Sequence, residues 1–71
     1  MSNREMVVEV VGKYGAMTSK QAANLVYREY GITLTPAQVA GSLRPLVTQG
    51  KAATSKDAYG KNVYWMVKQQ W

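Results

Sequence analysis

Thr35-Pro36-Ala37-Gln38-Val39-Ala40-Gly41-Ser42-Leu43-Arg44-Pro45-Leu46-Val47-Thr48-Gln49-Gly50 is the stretch that decides how the chain folds. Thr35 can cap a helix, Pro36 suits the first helical position because its missing N–H would be unpaired there anyway, and Gln38 completes a Thr-x-x-Gln capping box. Val39, Leu43, Leu46 and Val47 then recur at helical spacing, and Gly50 supplies the stop. Pro45 interrupts this pattern. It removes one backbone bond and presses its ring against the carbonyl of Gly41, so the helix either kinks or ends early and restarts. Continuation of the apolar stripe through Leu46 and Val47 favours the kink.

The same punctuation recurs upstream. Ser2-Asn3-Arg4-Glu5 has the form of a capping box and precedes Met6, Val7, Val10, Val11 and Tyr14 at helical spacing, with Gly15 as the stop. Thr18-Ser19-Lys20-Gln21 opens a second helix whose stripe is Ala22, Leu25, Val26 and Tyr30, closed by Gly31. In the connection Gly31-Ile32-Thr33-Leu34, the two aliphatic residues are expected to pin the turn into the core. Downstream of Gly50 the period changes. Lys51 to Ser55 is small and β-tolerant, Lys56 to Lys61 is turn-like, and Asn62 to Val67 is rich in β-branched and aromatic residues, which together predict a hairpin. A tiny extra strand at Ala16-Met17 would close the sheet. The predicted class is therefore α+β: one domain over residues 1–71, a three-helix bundle with a C-terminal β-hairpin.

Composition narrows the chemistry. With 71 residues the chain can build one small core, and 46% hydrophobic against 18% charged residues is too apolar for a disordered tail. Cysteine and histidine are both absent, and the acids are only Glu5, Glu9, Glu29 and Asp57. Disulfides, thiolate metal sites, the commonest general base and most carboxylate pairs are thereby removed, so neither an enzyme nor a metal, cofactor or small-molecule site is expected. Nine Lys and Arg give a net charge of +5 and a pI near 9.8, which favours polyanionic partners. No stretch approaches the roughly 18 apolar residues that cross a bilayer, and the N-terminus lacks a basic segment followed by an apolar signal core. The expectation is a cytoplasmic protein without a membrane partner.

From about Ser2 to Val67 the chain resembles the winged helix-turn-helix family, the three-helix DNA-binding fold with an appended β-hairpin. The resemblance is carried by Val39, Leu43, Leu46 and Gly50 in the third helix, and by Gly60-Lys61-Asn62-Val63-Tyr64-Trp65, which looks like a distal wing and its return strand. It implies that the second and third helices form the helix-turn-helix, that the third is the recognition helix, and that Lys51 to Lys61 is the wing. The sequence departs from the family at Ala40 and Gly41, where DNA-reading members often carry polar or basic residues.

Candidate contacts follow from that arrangement. On a helical wheel the third helix leaves Ala37, Gln38, Ala40, Gly41, Arg44, Pro45 and Thr48 on or near its exposed side. Arg44 can read a guanine edge and Gln38 an adenine edge, each good pair being worth about 1–3 kcal/mol of discrimination; the alternative for Arg44 is a plain solvated charge. Small residues at Ala37, Ala40 and Gly41 permit close approach to a phosphate backbone, a thymine methyl or a docked protein. Thr35 and the first-turn amides can bind phosphate. In the hairpin, Lys51, Lys56 and Lys61 surround Tyr59, a composition suited to following a phosphate backbone or merely to solubilising a loop. Lys20, Asn24 and Arg28 form one polar stripe on the second helix, with Lys20 the phosphate candidate. The aromatics Tyr14, Tyr27, Tyr30, Tyr64 and Trp65 are expected in core and hairpin packing. Trp71, and Val8, which projects away from the main stripe of its helix, are candidates for a homodimer surface or ordinary exposed residues.

The resemblance implies a non-enzymatic double-stranded DNA-binding protein, a small regulator or accessory factor of transcription, replication or recombination. The alternative is a winged-helix interaction module that binds another protein through the smooth Ala37/Ala40/Gly41 face or Trp71.

Overall fold

The structure is a computed structural model describing residues 2–67. Three capping boxes set its helix starts. Ser2, Thr18 and Thr35 each accept, through the side-chain oxygen, the N–H of the residue three positions on, and Glu5, Gln21 and Gln38 return the bond to the cap N–H. Two otherwise orphaned donors are thus satisfied at the start of α1 (Asn3–Tyr14), α2 (Ser19–Tyr30) and α3 (Pro36–Thr48). Helix α3 continues through Pro45 rather than ending before it. It closes beyond Gln49, where the Gly50 N–H donates to the Val47 carbonyl at 3.1 Å and the Lys51 N–H to the Leu46 carbonyl at 2.8 Å. This closure requires the left-handed backbone that Gly50 adopts, with φ at 76°.

A three-stranded antiparallel sheet in the order β1-β3-β2 packs beside the helices, built from β1 (Met17–Thr18), β2 (Ala52–Lys56) and β3 (Asn62–Met66). Met17 pairs with Tyr64 and Thr18 with Val63. The hairpin register runs from Ala52 opposite Met66 to Lys56 opposite Asn62. The small strand begins one residue later than the sequence predicts, because Thr18 is both its last residue and the cap of α2. Alternation along β3 turns Tyr64 into the core and leaves Trp65 half-buried on the other face, opposite Ala53.

One cluster forms the core. Val7, Val10 and Val11 of α1, Val26 of α2 and Val39 and Leu43 of α3 are completely or almost completely buried, and Met17, Ala52 and Tyr64 close it from the sheet. No polar or charged residue is buried among the described residues, so the core itself is held by apolar packing. No helix among them is long and apolar enough to cross a membrane.

Several side chains lie elsewhere than their sequence pattern suggests. Leu34 reaches the core but Ile32 is exposed, since the left-handed Gly31 turns the chain and Leu34, next to the cap of α3, provides the inward anchor. Tyr14 and Tyr27 are also exposed. A helix aims only part of its circumference inward, and on α2 Ala22, Ala23 and Val26 occupy that arc. Val8 is half-buried and packs against the core instead of projecting from it, and Val47 is likewise only half-buried. Trp71, the other candidate for a homodimer surface, lies outside the described residues.

Tyr14 has a polar reason to stay outside. Its hydroxyl donates to Glu29 Oε1 at 2.6 Å, the Lys13 ammonium donates to the same oxygen at 2.9 Å, and Lys13 Nζ sits 5.1 Å from the Tyr14 ring centroid. The three groups clasp the end of α1 to the end of α2. The hydrogen bond from Tyr14, then that from Lys13, holds the Glu29 carboxyl below its ordinary 4.5. The bond to Glu29, with Tyr14 beside it, holds the Lys13 ammonium above its ordinary 10.5. By linkage the carboxylate's contribution is present above 4.5 and is lost as pH falls through its lowered midpoint; the ammonium's is present below 10.5 and is lost as pH rises through its raised one.

Two measurements test this fold. Tyr14→Phe removes the foremost donor, so the Glu29 carboxyl midpoint, followed by NMR, should move up toward 4.5; an unmoved midpoint would dissolve the clasp. Leu43→Ala should cost about 2–5 kcal/mol, comparable with the whole margin of roughly 3–5 kcal/mol that such a small core supplies. Urea titration followed by circular dichroism should then show a largely unfolded population in dilute buffer.

Candidate functional site

Thr18 connects the sheet to the helices. Because it ends β1 opposite Val63 and caps α2, strand pairing sets the first turn of α2 beside the hairpin. Helix α3 supplies the neighbouring wall. The result is a groove of about 680 Å³ bounded by the start of α2, one face of α3 and the tip of the hairpin.

Each wall has a distinct chemistry. From the start of α2 come its cap Thr18 with Ser19 and Lys20, joining hydroxyls and a cation at the first helical turn. From α3 come Ala37, Ala40 and Arg44, spaced three and four apart and so aligned on one ridge. The ridge is smooth until Arg44. From the hairpin come Asp57, Tyr59 and Lys61. Lys20, Arg44 and Lys61 therefore face one space, accompanied there by the single carboxylate of Asp57. The remaining acids sit on α1 and late α2: Glu5 bonds the Ser2 N–H, Glu29 is clasped to Lys13 and Tyr14, and Glu9 is exposed on α1. Cations, hydroxyls and an aromatic thus share one open groove with a single carboxylate.

Of the candidate contacts singled out in the sequence, Lys20, Ala37, Ala40, Arg44, Tyr59 and Lys61 line this groove. Thr35, Gln38 and Gly41 are exposed on or at the start of α3 but outside the lining. The Gln38 carboxamide oxygen already accepts the Thr35 N–H at 2.9 Å, so a bidentate adenine contact would compete with the cap. Lys56 ends β2 opposite Asn62, near the groove but not lining it. Lys51 is at the other end of the hairpin, its carbonyl accepting the Val67 N–H at 3.0 Å. Arg28 and Asn24 line a separate hollow of about 380 Å³ with Tyr14 and Leu25.

The sequence reading missed Ser19 and Asp57. Ser19 lay in the open as part of a helix start, but only docking shows which start faces the hairpin. Asp57 precedes Gly60 by three residues, the spacing of a type I turn whose first side chain accepts following amides.

Among the described residues no group of three or more His, Cys, Asp or Glu is placed to hold a metal ion. Gly41 is exposed within α3, and a Cβ there would meet nothing within 4 Å. Gly41→Ala should therefore stabilise the helix by about 0.5–1 kcal/mol. Thermal unfolding should rise by roughly 3–6 °C for a domain of this size, and a fall would show that α3 needs the glycine. No protein-family model matches the chain and no curated protein matches it; the chemistry of the groove is read from its own residues.

Proposed function

We propose that the protein is a non-enzymatic, double-stranded DNA-binding domain of the winged helix-turn-helix type, serving as a small regulator or accessory factor in transcription, replication or recombination. Helices α2 and α3 are the helix-turn-helix, α3 enters the major groove, and the β2–β3 hairpin is the wing that follows the backbone. The observation that carries this reading is the convergence of Lys20, Arg44 and Lys61, from three separate elements, on one groove with a smooth helical ridge. A major groove about 12 Å wide admits a helix, and small side chains at Ala37 and Ala40 let its axis come close. Lys20 and the first turn of α2 take one phosphate run, Lys61 takes another, and Arg44 reaches base edges between them.

Two phosphate-directed cations, Lys20 and Lys61, give a log–log dependence of affinity on salt with a slope of about −2. Titration of mixed-sequence duplex at a series of salt concentrations checks this, and absence of binding even at low salt would reject the reading. Lys61→Ala should weaken all duplexes alike and reduce the slope by about 1, whereas Arg44→Ala should mainly narrow the spread of affinities among different sequences.

A further inference from the structure

The one acid lining the groove stands where an approaching polyanion would be repelled, and its bonding explains why it is there. Asp57 Oδ1 accepts two hydrogen bonds, from the Tyr59 N–H and from the Lys61 N–H, each at 2.9 Å. The backbone adds two more: the Asp57 N–H donates to the Lys61 carbonyl at 2.8 Å, and the Gly60 N–H donates to the Asp57 carbonyl at 3.0 Å. Gly60 takes the left-handed conformation that the turn needs, with φ at 77°. The hairpin tip is a closed, bonded unit. It carries Tyr59 at 88% exposure, so packing into the fold does not hold that ring. Its place against the groove follows from the backbone beneath it, and that backbone is bonded to Asp57.

We infer that Asp57 is a positioning residue for the wing: its carboxylate oxygen shapes the tip that presents Tyr59 and Lys61 to bound duplex, at the cost of one negative charge beside the phosphates. This rests on the DNA-binding reading above. Tyr59 packs its ring on the sugar–phosphate edge and Lys61 neutralises a phosphate, and both contacts depend on the same two amides remaining tied to one oxygen. Charge and geometry act in opposite directions at this residue. Removing the charge alone strengthens duplex binding, and removing the acceptor weakens it.

That opposition gives a test by sign. Both amides converge on Oδ1, so Asp57→Asn keeps an equivalent acceptor while losing the charge, and Asp57→Ala loses both. Duplex affinity is measured across salt concentrations for the wild type, Asp57→Asn, Asp57→Ala, Tyr59→Ala and the Asp57→Ala/Tyr59→Ala double variant, with amide hydrogen exchange at residues 59 and 61 recorded in parallel. Asp57→Asn should retain slow exchange and bind about two- to fivefold tighter, the scale of one screened unit charge. Asp57→Ala should exchange rapidly and bind about three- to tenfold more weakly despite its more favourable charge. Tyr59→Ala should lose a smaller factor, and the double variant little more than Asp57→Ala, because loss of the acceptor already releases Tyr59 together with Lys61.

Equal tightening in both Asp57 variants overturns the inference, since charge alone would then account for the residue. Equal weakening in both also overturns it, because the acceptor oxygen would not suffice. If Asp57→Ala fails to fold, the Asp57→Asn affinity and exchange at residues 59 and 61 decide alone. A wild type that does not bind duplex at low salt removes the DNA-binding reading and this inference together, whereas a wild type that binds as well as a folded Asp57→Ala removes this inference only.

Discussion

The pairing of Met17 and Thr18 with Tyr64 and Val63 is the constraint on which the remaining geometry depends. A two-stranded hairpin is at best marginal in water, and this short third strand makes the hairpin part of a sheet that has helices on one face. The pairing joins segments about 45 residues apart in sequence, whose closure entropy is repaid by the burial of Met17 and Tyr64 in the common core. Because Thr18 also caps α2, one residue fixes both the position of the sheet and the first turn of that helix. The wall of the groove is therefore held from both sides.

Charge is distributed in keeping with this frame. Asp57 spends its acceptor oxygen on the hairpin tip, Glu5 on the first cap, and Glu29 on the clasp between α1 and α2. Carboxylates occupied with backbone and neighbouring side chains leave Lys20, Arg44 and Lys61 facing the groove without a lysine–carboxylate or arginine–carboxylate bridge among them. The only salt bridge found among the described residues is Lys13–Glu29. Three of the chain's nine Lys and Arg thus face one space that holds a single carboxylate.

Most of the secondary structure is legible in the sequence because its determinants are local. Each capping box is complete within four residues, and the stop at Gly50 and the turn ending at Gly60 involve neighbours in the chain. The stripe Val39-Leu43-Leu46 reads directly as a buried face. The site is less legible. Nothing within α2 says that Lys20 shares a groove with Lys61 while Arg28 opens on another hollow; that distinction arises from docking. Periodicity also overstates burial at Tyr14 and Tyr27, where an aromatic on the margin of a stripe can keep its hydroxyl or one ring face in water. Gln38 shows a further ambiguity: the residue that completes a cap and the residue that reads a base are the same type, and its bond to Thr35 is visible only in three dimensions.

The order β1-β3-β2 leaves β2 as an outer strand among the described residues. Unpaired strand margins are where neighbouring molecules can zip together into aggregates. Strand β2 is only five residues long, carries Thr54 and Ser55 in its exposed half and ends on Lys56. A short, hydroxyl-rich rim terminated by a cation resists intermolecular strand stacking. Lys56, outside the groove, is the charge on which that rim ends.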